Sequence, residues 1–360
     1  MINLDDISAI KKLDESNCYG SVEELYKQGN HAWEDTKNLS VPDSYSKVDK
    51  ILLTGMGGSG LGARIIESIY GPSLKYPLIR LNDYDLPNWV DETTLVICSS
   101  FSGTTEETVK NVYQAKEKGA KWMTIAAGNT LIELAKKNNV PYYQINPKYN
   151  PSNQPRLAVG YSVFGQLVMV SKTGLFNFSE KEVKKVSSVL ENMITDLKLN
   201  IPTEKNSAKK TALQLYDKKV IFVGARHLFA AAHTAKNQMN ENAKNFSALF
   251  DVPELNHHLM EGLQFPSSNK KDLIFVFVKS DLYPQRIQER FEITEEVVKK
   301  NNIVTLSWKA NSEDVLSQVF ELIQYFGFVN FYLSMLNNLN PAPIPWVDYF
   351  KTKLGQPLGK

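Results

Sequence analysis

Cysteine is scarce in this chain. Two residues, Cys18 and Cys98, among 360 cannot build a disulfide framework, and a reducing, cytoplasmic setting is expected. Net charge is nearly absent as well, since 41 Lys and Arg stand against 39 Asp and Glu and leave +2. A balance so close to neutral shows no electrostatic footprint for nucleic acid or for an acidic membrane. Long hydrophobic runs are also missing. The longest apolar stretch, 157–170, is interrupted by Ser162 and Gln166 and stopped by Lys172. It is too short to span a bilayer and reads as a buried helix. Residues 1–16 lack the apolar core of a signal peptide, and no low-complexity run occurs. These absences exclude membrane, secreted and histone-like proteins. What is present, 42% hydrophobic and 22% charged residues, is the balance of a folded globular chain, and its length favours two compact units.

Short apolar runs alternate with longer helical patterns. Ser21 and Glu24 have the spacing of a capping box and predict a helix reaching about Lys37. The runs 51–55, 76–81, 94–100, 121–127 and 141–145 are rich in β-branched and aromatic residues, and most precede helical periodicity. After the charged stretch 180–198 the rhythm restarts with strands predicted at 218–224, 272–278 and 302–308, and helices near His227, Pro284 and Ser312. Alternation of this kind predicts parallel sheets covered by helices. The expected architecture is two doubly wound α/β domains, 1–200 and 201–360, related by an internal duplication. The polar stretch 201–207 is the expected linker.

Two loops carry chemistry. The first, Gly55-Met56-Gly57-Gly58-Ser59-Gly60, joins a buried strand to a helix. Glycines let backbone N–H groups approach an anion, and the helix N-terminus supplies positive potential. Gly55, Gly57 and Gly60 also satisfy a dinucleotide fingerprint, with Asp83 placed as the ribose-binding acid, so a dehydrogenase is a rival reading. The second loop, Ser100-Phe101-Ser102-Gly103-Thr104-Thr105, sets four hydroxyls at the end of another strand, before a helix at Glu106. Thr104 and Glu107 alone would suggest only a capping box. Paired with the glycine loop, the hydroxyl cluster points instead to a phosphate monoester bound without metal.

With these loops, the segments 154–162 (QPRLAVGYS), 236–244 (KNQMNENAK), 254–258 (ELNHH) and 341–351 (PAPIPWVDYFK) make the chain resemble the bifunctional phosphoglucose/phosphomannose isomerases, built on the sugar isomerase (SIS) fold. The likeness runs over nearly the whole chain. It implies two SIS-type domains and metal-independent interconversion of glucose 6-phosphate, and of mannose 6-phosphate, with fructose 6-phosphate through a cis-enediol(ate), using no cofactor. It assigns the substrate phosphate to Gly58, Ser59, Ser100, Ser102 and Thr105. Thr104 stands where relatives often carry Asn.

The same resemblance makes Glu241 the base that moves hydrogen between adjacent carbons. A carboxylate is a weak base in water, with a pKa of about 4.3, so it must be desolvated or held close to the carbon. Without the resemblance Glu241 would read as a surface glutamate paired with Lys244. Arg156 would stabilise the enediolate with its permanently charged fork, the chain before it kept extended by Gln154-Pro155. His257, whose ordinary titration range suits acid–base work, is implied as the ring opener, assisted by Lys351, or by Lys353 should the alignment slip. Relatives commonly read Asn-His-Asn-Glu where this chain has Asn256-His257-His258-Leu259, which leaves Glu261 as a replacement acid. Related isomerases borrow the histidine from a partner subunit, so a homodimer is expected. The five histidines, His31, His227, His233, His257 and His258, offer no metal site: neighbours 257 and 258 would point about 100° apart on a helix, and His257 with Glu261 on one face falls short of a ligand set. A sugar-phosphate sensor without catalysis is the alternative from another class.

Overall fold

The computed structural model describes residues 2–355. Within these it groups into two compact units, one of residues 27–183 and 342–355, the other of residues 2–26 and 184–341.

The first unit holds β1 (Lys50–Gly55), β2 (Leu78–Leu81), β3 (Thr94–Ser99), β4 (Lys121–Ala126) and β5 (Tyr142–Gln144), all parallel, in the order β2-β1-β3-β4-β5. Every strand expected in this half is present. β1 beyond Lys50 and all of β3 are buried, as strands covered on both faces must be. Leu52, Val96 and Cys98 pack with Val112, Ala115, Trp122 and Leu131 in one core cluster, where burial pushes the Cys98 thiol up and keeps it protonated. The apolar stretch near residue 160 is a helix, Val159–Ser171, buried along nearly its whole length and packed against the helix Gly57–Tyr70.

The second unit holds β6 (Lys219–Gly224), β7 (Ser247–Asp251), β8 (Leu273–Lys279) and β9 (Val304–Lys309), parallel and ordered β7-β6-β8-β9. This repeats the order β2-β1-β3-β4, so the duplicated rhythm of the sequence is a duplicated topology. β7 has no counterpart among the expected strands. It is a short edge strand whose residues after Ser247 are only half-buried, and its alternation is too brief to stand out. The longest apolar helix is Val315–Leu336 rather than the one at 159–171. With mean hydropathy 1.3 it meets the length and composition of a bilayer span, yet its apolar window is wholly buried against the helices Ser207–Leu215 and Arg226–Gln238. Its polar groups bond within the unit: Asn330 Nδ2 donates to Ala235 O at 3.0 Å, and Glu321 accepts from the Asn311 and Ser312 amides.

The observed grouping differs from a division at residue 200. Lys209 is fully buried, and its Nζ donates to Asp5 Oδ1, Leu199 O and Ile201 O, each at 2.9 Å. The helix Cys18–Glu23 lies on Val315–Leu336, where Gln324 Nε2 donates to Val22 O at 2.8 Å. These bonds tie the N-terminal segment to the second unit. They also place 201–207, the expected linker, inside that unit, where Asn206 caps the next helix. The expected capping box at Ser21 is not formed: Ser21 is buried mid-helix, and Asn17 caps the Gly20 amide at 3.0 Å. The Asp14 carboxylate accepts the Cys18 and Tyr19 amides, so the helix starts earlier, and a separate helix, Leu25–Thr36, follows.

One carboxylate anchors the far edge of the second sheet. Glu295, nearly buried, accepts from Lys279 and Lys299 at 2.7 Å, Ser307 at 2.9 Å and Thr305 at 3.1 Å. Burial works against its charge, but these donors outweigh burial and hold its pKa at about 2. Because the folded value lies below the ordinary 4.5, its stabilisation is complete above pH 4.5 and disappears as pH falls towards 2. Thermal unfolding of Glu295→Gln should therefore show a melting temperature well below wild type at neutral pH, and the gap should narrow through pH 4.5 to 2. A gap independent of pH would contradict this.

Candidate active site

The register of the first sheet places the two loops side by side. Gly55 at the end of β1 pairs with Ser99 at the end of β3, so residues 56–60 and 100–105 leave the same edge of the sheet. There the carboxyl ends of parallel strands form the usual ligand crevice.

After β1, the helix Gly57–Tyr70 begins without any side-chain cap, which leaves its leading N–H groups for a ligand. Gly58 is required by close packing: a Cβ there would stand 2.6 Å from Arg156 N and 2.7 Å from Pro155 C. That contact seats the backbone of Arg156 against the glycine loop. Ser59 Oγ accepts the Phe101 N–H at 2.7 Å, which ties the two loops together while the hydroxyl keeps its own hydrogen to donate.

After β3, the hydroxyls form one cluster. Ser100 Oγ lies 2.8 Å from Thr105 Oγ1 and 3.3 Å from Ser102 Oγ, and it accepts the Gly103 N–H at 3.1 Å. Ser102 Oγ also accepts from Thr104 N and Thr104 Oγ1. Gly103 has φ +74°, and a Cβ there would collide with Gly128 O at 1.9 Å. The capping box of Thr104 and Glu107 is not formed; Thr105 is the N-cap of the helix Glu106–Glu117 and makes no side-chain cap bond, its hydroxyl being engaged with Ser100. Two helix N-termini and a hydroxyl cluster thus face one edge, a setting suited to a phosphate dianion. The acid at the start of this helix is held by a neighbour: the Tyr84 hydroxyl donates to Glu106 Oε1, and that bond raises the phenol to about 12. Asp83, the acid of the dinucleotide reading, is exposed and accepts the Tyr84 amide at 2.6 Å.

Arg156 is 1% exposed. Its Nη1 donates to Gln154 Oε1 at 2.7 Å and its Nη2 to Ala342 O at 2.8 Å, while Gln154 is extended as expected before the proline. The first unit therefore brings Gly58, Ser59, Ser100, Ser102, Thr105 and Arg156 together. Lys351, on the helix Pro345–Leu354, is exposed, and Lys353 lies 5.7 Å from the Tyr349 ring centroid. Ala342 was not foreseeable as a holder of the guanidinium, because that pairing is made by tertiary packing, whereas Gln154 lies only two residues away.

In the second unit, Glu241 is half-buried in a π turn, Met239–Ala243, at the end of the helix Arg226–Gln238. His257 is exposed at the end of the 3₁₀ turn Glu254–His257. Asn256 before it donates to Thr294 Oγ1 at 2.7 Å and accepts from Arg290 Nη1 at 3.0 Å, which fixes the turn to the helix Gln285–Lys300. His258 leans on Phe250, with ring centroids 6.0 Å apart. The helical geometry expected for His257, His258 and Glu261 is not observed: His258 leaves the helical region at φ −142°, and Glu261 belongs to the next 3₁₀ turn, Met260–Leu263. Among the described residues no three His, Cys, Asp or Glu side chains cluster as a metal site would need.

Comparison with known proteins agrees with this geometry. The bacterial phospho-glucose isomerase C-terminal SIS domain family matches residues 204–354. The bifunctional phosphoglucose/phosphomannose isomerase of Caldicellulosiruptor bescii is 34% identical over 346 residues, covering 94% of this chain and 99% of that protein. The protein of the same description from Aquifex aeolicus is 27% identical, with 93% and 98% covered. In fold, the chain is similar to the crystal structure of a glucose-6-phosphate isomerase like protein from Thermus thermophilus, with a TM-score of 0.61 and 16% identity over 96% of this chain and 99% of that one. A third of all positions shared along almost the full length of both proteins, on a duplicated α/β frame with paired glycine and hydroxyl loops, is decisive: this chain belongs to the bifunctional phosphoglucose/phosphomannose isomerase family.

Proposed function

We propose that this protein is a metal-independent isomerase that interconverts glucose 6-phosphate and mannose 6-phosphate with fructose 6-phosphate. The observation that carries the reading is the pairing of Gly55 with Ser99, which sets the uncapped helix N-termini and the Ser100–Ser102–Thr105 cluster side by side. In this reading Gly58, Ser59, Ser100, Ser102 and Thr105 grip the phosphate. His257, assisted by Lys351, opens the ring. Glu241 takes the proton from C2 of the aldose and returns it to C1, and the electrons of the broken C–H bond pass into an enediolate whose charge Arg156 stabilises. Glucose and mannose phosphates differ only at C2, so one enediolate serves both. The two cysteines are buried and form no disulfide, which supports a reducing cytoplasm.

A dimer in which His257 comes from a second copy is part of this reading, as the resemblance implies. Asn240, next to Glu241, is bonded to Ser247 at the start of β7, whereas His258, next to His257, rests on Phe250 near its end.

Chelator-treated protein incubated with fructose 6-phosphate in deuterated water should yield aldose carrying deuterium at C2. Glu241→Gln should lower turnover by at least ~10²-fold while phosphate-ester binding persists. Binding without turnover in the wild type would favour a sensor, and turnover retained in the variant would remove Glu241 as the base. Gly58→Ala should weaken phosphate-ester affinity, because its methyl group displaces the Pro155–Arg156 backbone; unchanged affinity by calorimetry would refute the loop assignment. Mixing Glu241→Gln with His257→Ala chains should recover roughly a quarter of wild-type activity, since half of randomly paired dimers then contain one intact site. No recovery on mixing would place both residues in one chain.

A further inference from the structure

We infer that Lys244, Asn240 and Asn337 are positioning residues for the Glu241 carboxylate, an inference that rests on the isomerase reading of that residue. The helix Arg226–Gln238 does not continue regularly to Glu241. Its end widens into the π turn Met239–Ala243, and Lys244 follows at φ +51°. A one-residue π insertion turns the chain beyond it by about 100° relative to an α-helix. Both the wide turn and a left-handed lysine persist only where their surroundings fix them.

Three sets of bonds do so. Asn240 Nδ2 donates to Ser247 O at 3.2 Å and its Oδ1 accepts the Ser247 N–H at 3.0 Å, which locks the residue before Glu241 to the start of β7. Asn337, just after the helix Val315–Leu336, donates through Nδ2 to Ala243 O at 2.9 Å. Lys244 Nζ donates to Pro341 O at 3.0 Å, Asn340 O at 3.3 Å and Asn242 O at 3.4 Å. The backbone carrying the carboxylate is thus bound on both sides of Glu241. From sequence spacing Lys244 reads as an ion-pair partner on a helix surface; in the fold its ammonium also meets carbonyls that close the turn.

Proton transfer between neighbouring carbons depends on such fixity. The carboxylate must approach the carbon to about 3–3.5 Å, and a misplacement of about 1 Å costs ~10²-fold in rate. Phosphate binding by the glycine and serine loops makes no use of this turn, so the two properties should separate.

The test measures kcat and KM for fructose 6-phosphate, inorganic phosphate binding by calorimetry, and melting temperature in Lys244→Met and Asn240→Ala. Both residues are exposed, so the variants should fold. Expected are kcat values lower by about 10- to 100-fold, KM and phosphate affinity within about twofold of wild type, and recovery of most of the rate in Lys244→Arg. Wild-type kcat in both variants, or kcat and phosphate affinity falling together with the melting temperature, would overturn the inference. Glu241→Gln separates the two failures: if it keeps turnover, the base assignment itself fails; if it is inactive while Lys244→Met and Asn240→Ala are not, only the positioning role fails.

Discussion

Parallel pairing of β1 with β3, in the register that sets Gly55 opposite Ser99, is the constraint on which the candidate site depends. In a parallel sheet every strand ends at the same edge, and the helix after each strand starts there. Adjacent strands that run on into a glycine loop and a hydroxyl loop therefore aim two sets of backbone donors at one place. A shift of register by one residue would turn each inward side chain outward and move the two loops out of step. The complete burial of β3 makes such a shift costly.

The second sheet shows that the frame alone does not make such a site. Its strand order repeats that of the first, and β6 and β8 again end side by side. The corresponding turns, however, carry Arg226-His227 and Ser280-Asp281 in place of glycine and serine clusters. There, Gln318 from the long apolar helix bonds to His227 at 2.8 Å and accepts from Ser280 Oγ at 2.6 Å, with the Tyr283 ring beside the histidine. Side chains satisfy one another where the first sheet leaves donors for an anion. One topology thus leaves backbone donors open in one copy and closes the matching edge by packing in the other.

Buried charge follows the same logic throughout. Lys209, Arg156 and Glu295 are all withdrawn from water, and each is met by several partners: carbonyls and Asp5, Gln154 and the Ala342 carbonyl, or two lysines and two hydroxyls. A withdrawn charge without such partners would cost several kcal/mol. Lys209 and Glu295 spend their charge on holding structure. Arg156 differs because its backbone is pressed against Gly58, so its fixation serves the loop beside it.

The strands of the first sheet, the buried helix near residue 160, the paired glycine and hydroxyl loops and the duplicated rhythm were legible in the sequence, because each is a local pattern of burial or turn chemistry. Resemblance over several ordered segments added the expected roles of Glu241, His257, Arg156 and Lys351, which spacing alone left as ordinary surface or core residues. Edge strand β7 stayed hidden, since a short run that is half-buried after Ser247 carries little periodicity. The start of the helix at Cys18 was misplaced because Asn17 and Asp14 compete with Ser21 as caps. Sequence by itself therefore determined the strands of the first sheet and the glycine and hydroxyl loops, which depend on neighbours within a few positions, and the family the chain resembles, which several ordered segments carry. Only the tertiary structure decided that residues 2–26 group with the unit of the C-terminal sheet, tied to Lys209, that Arg156 is held by the Ala342 carbonyl, and that Glu241 stands in a pinned π turn. Those outcomes rest on contacts between residues far apart in the chain, whose energies no local pattern encodes.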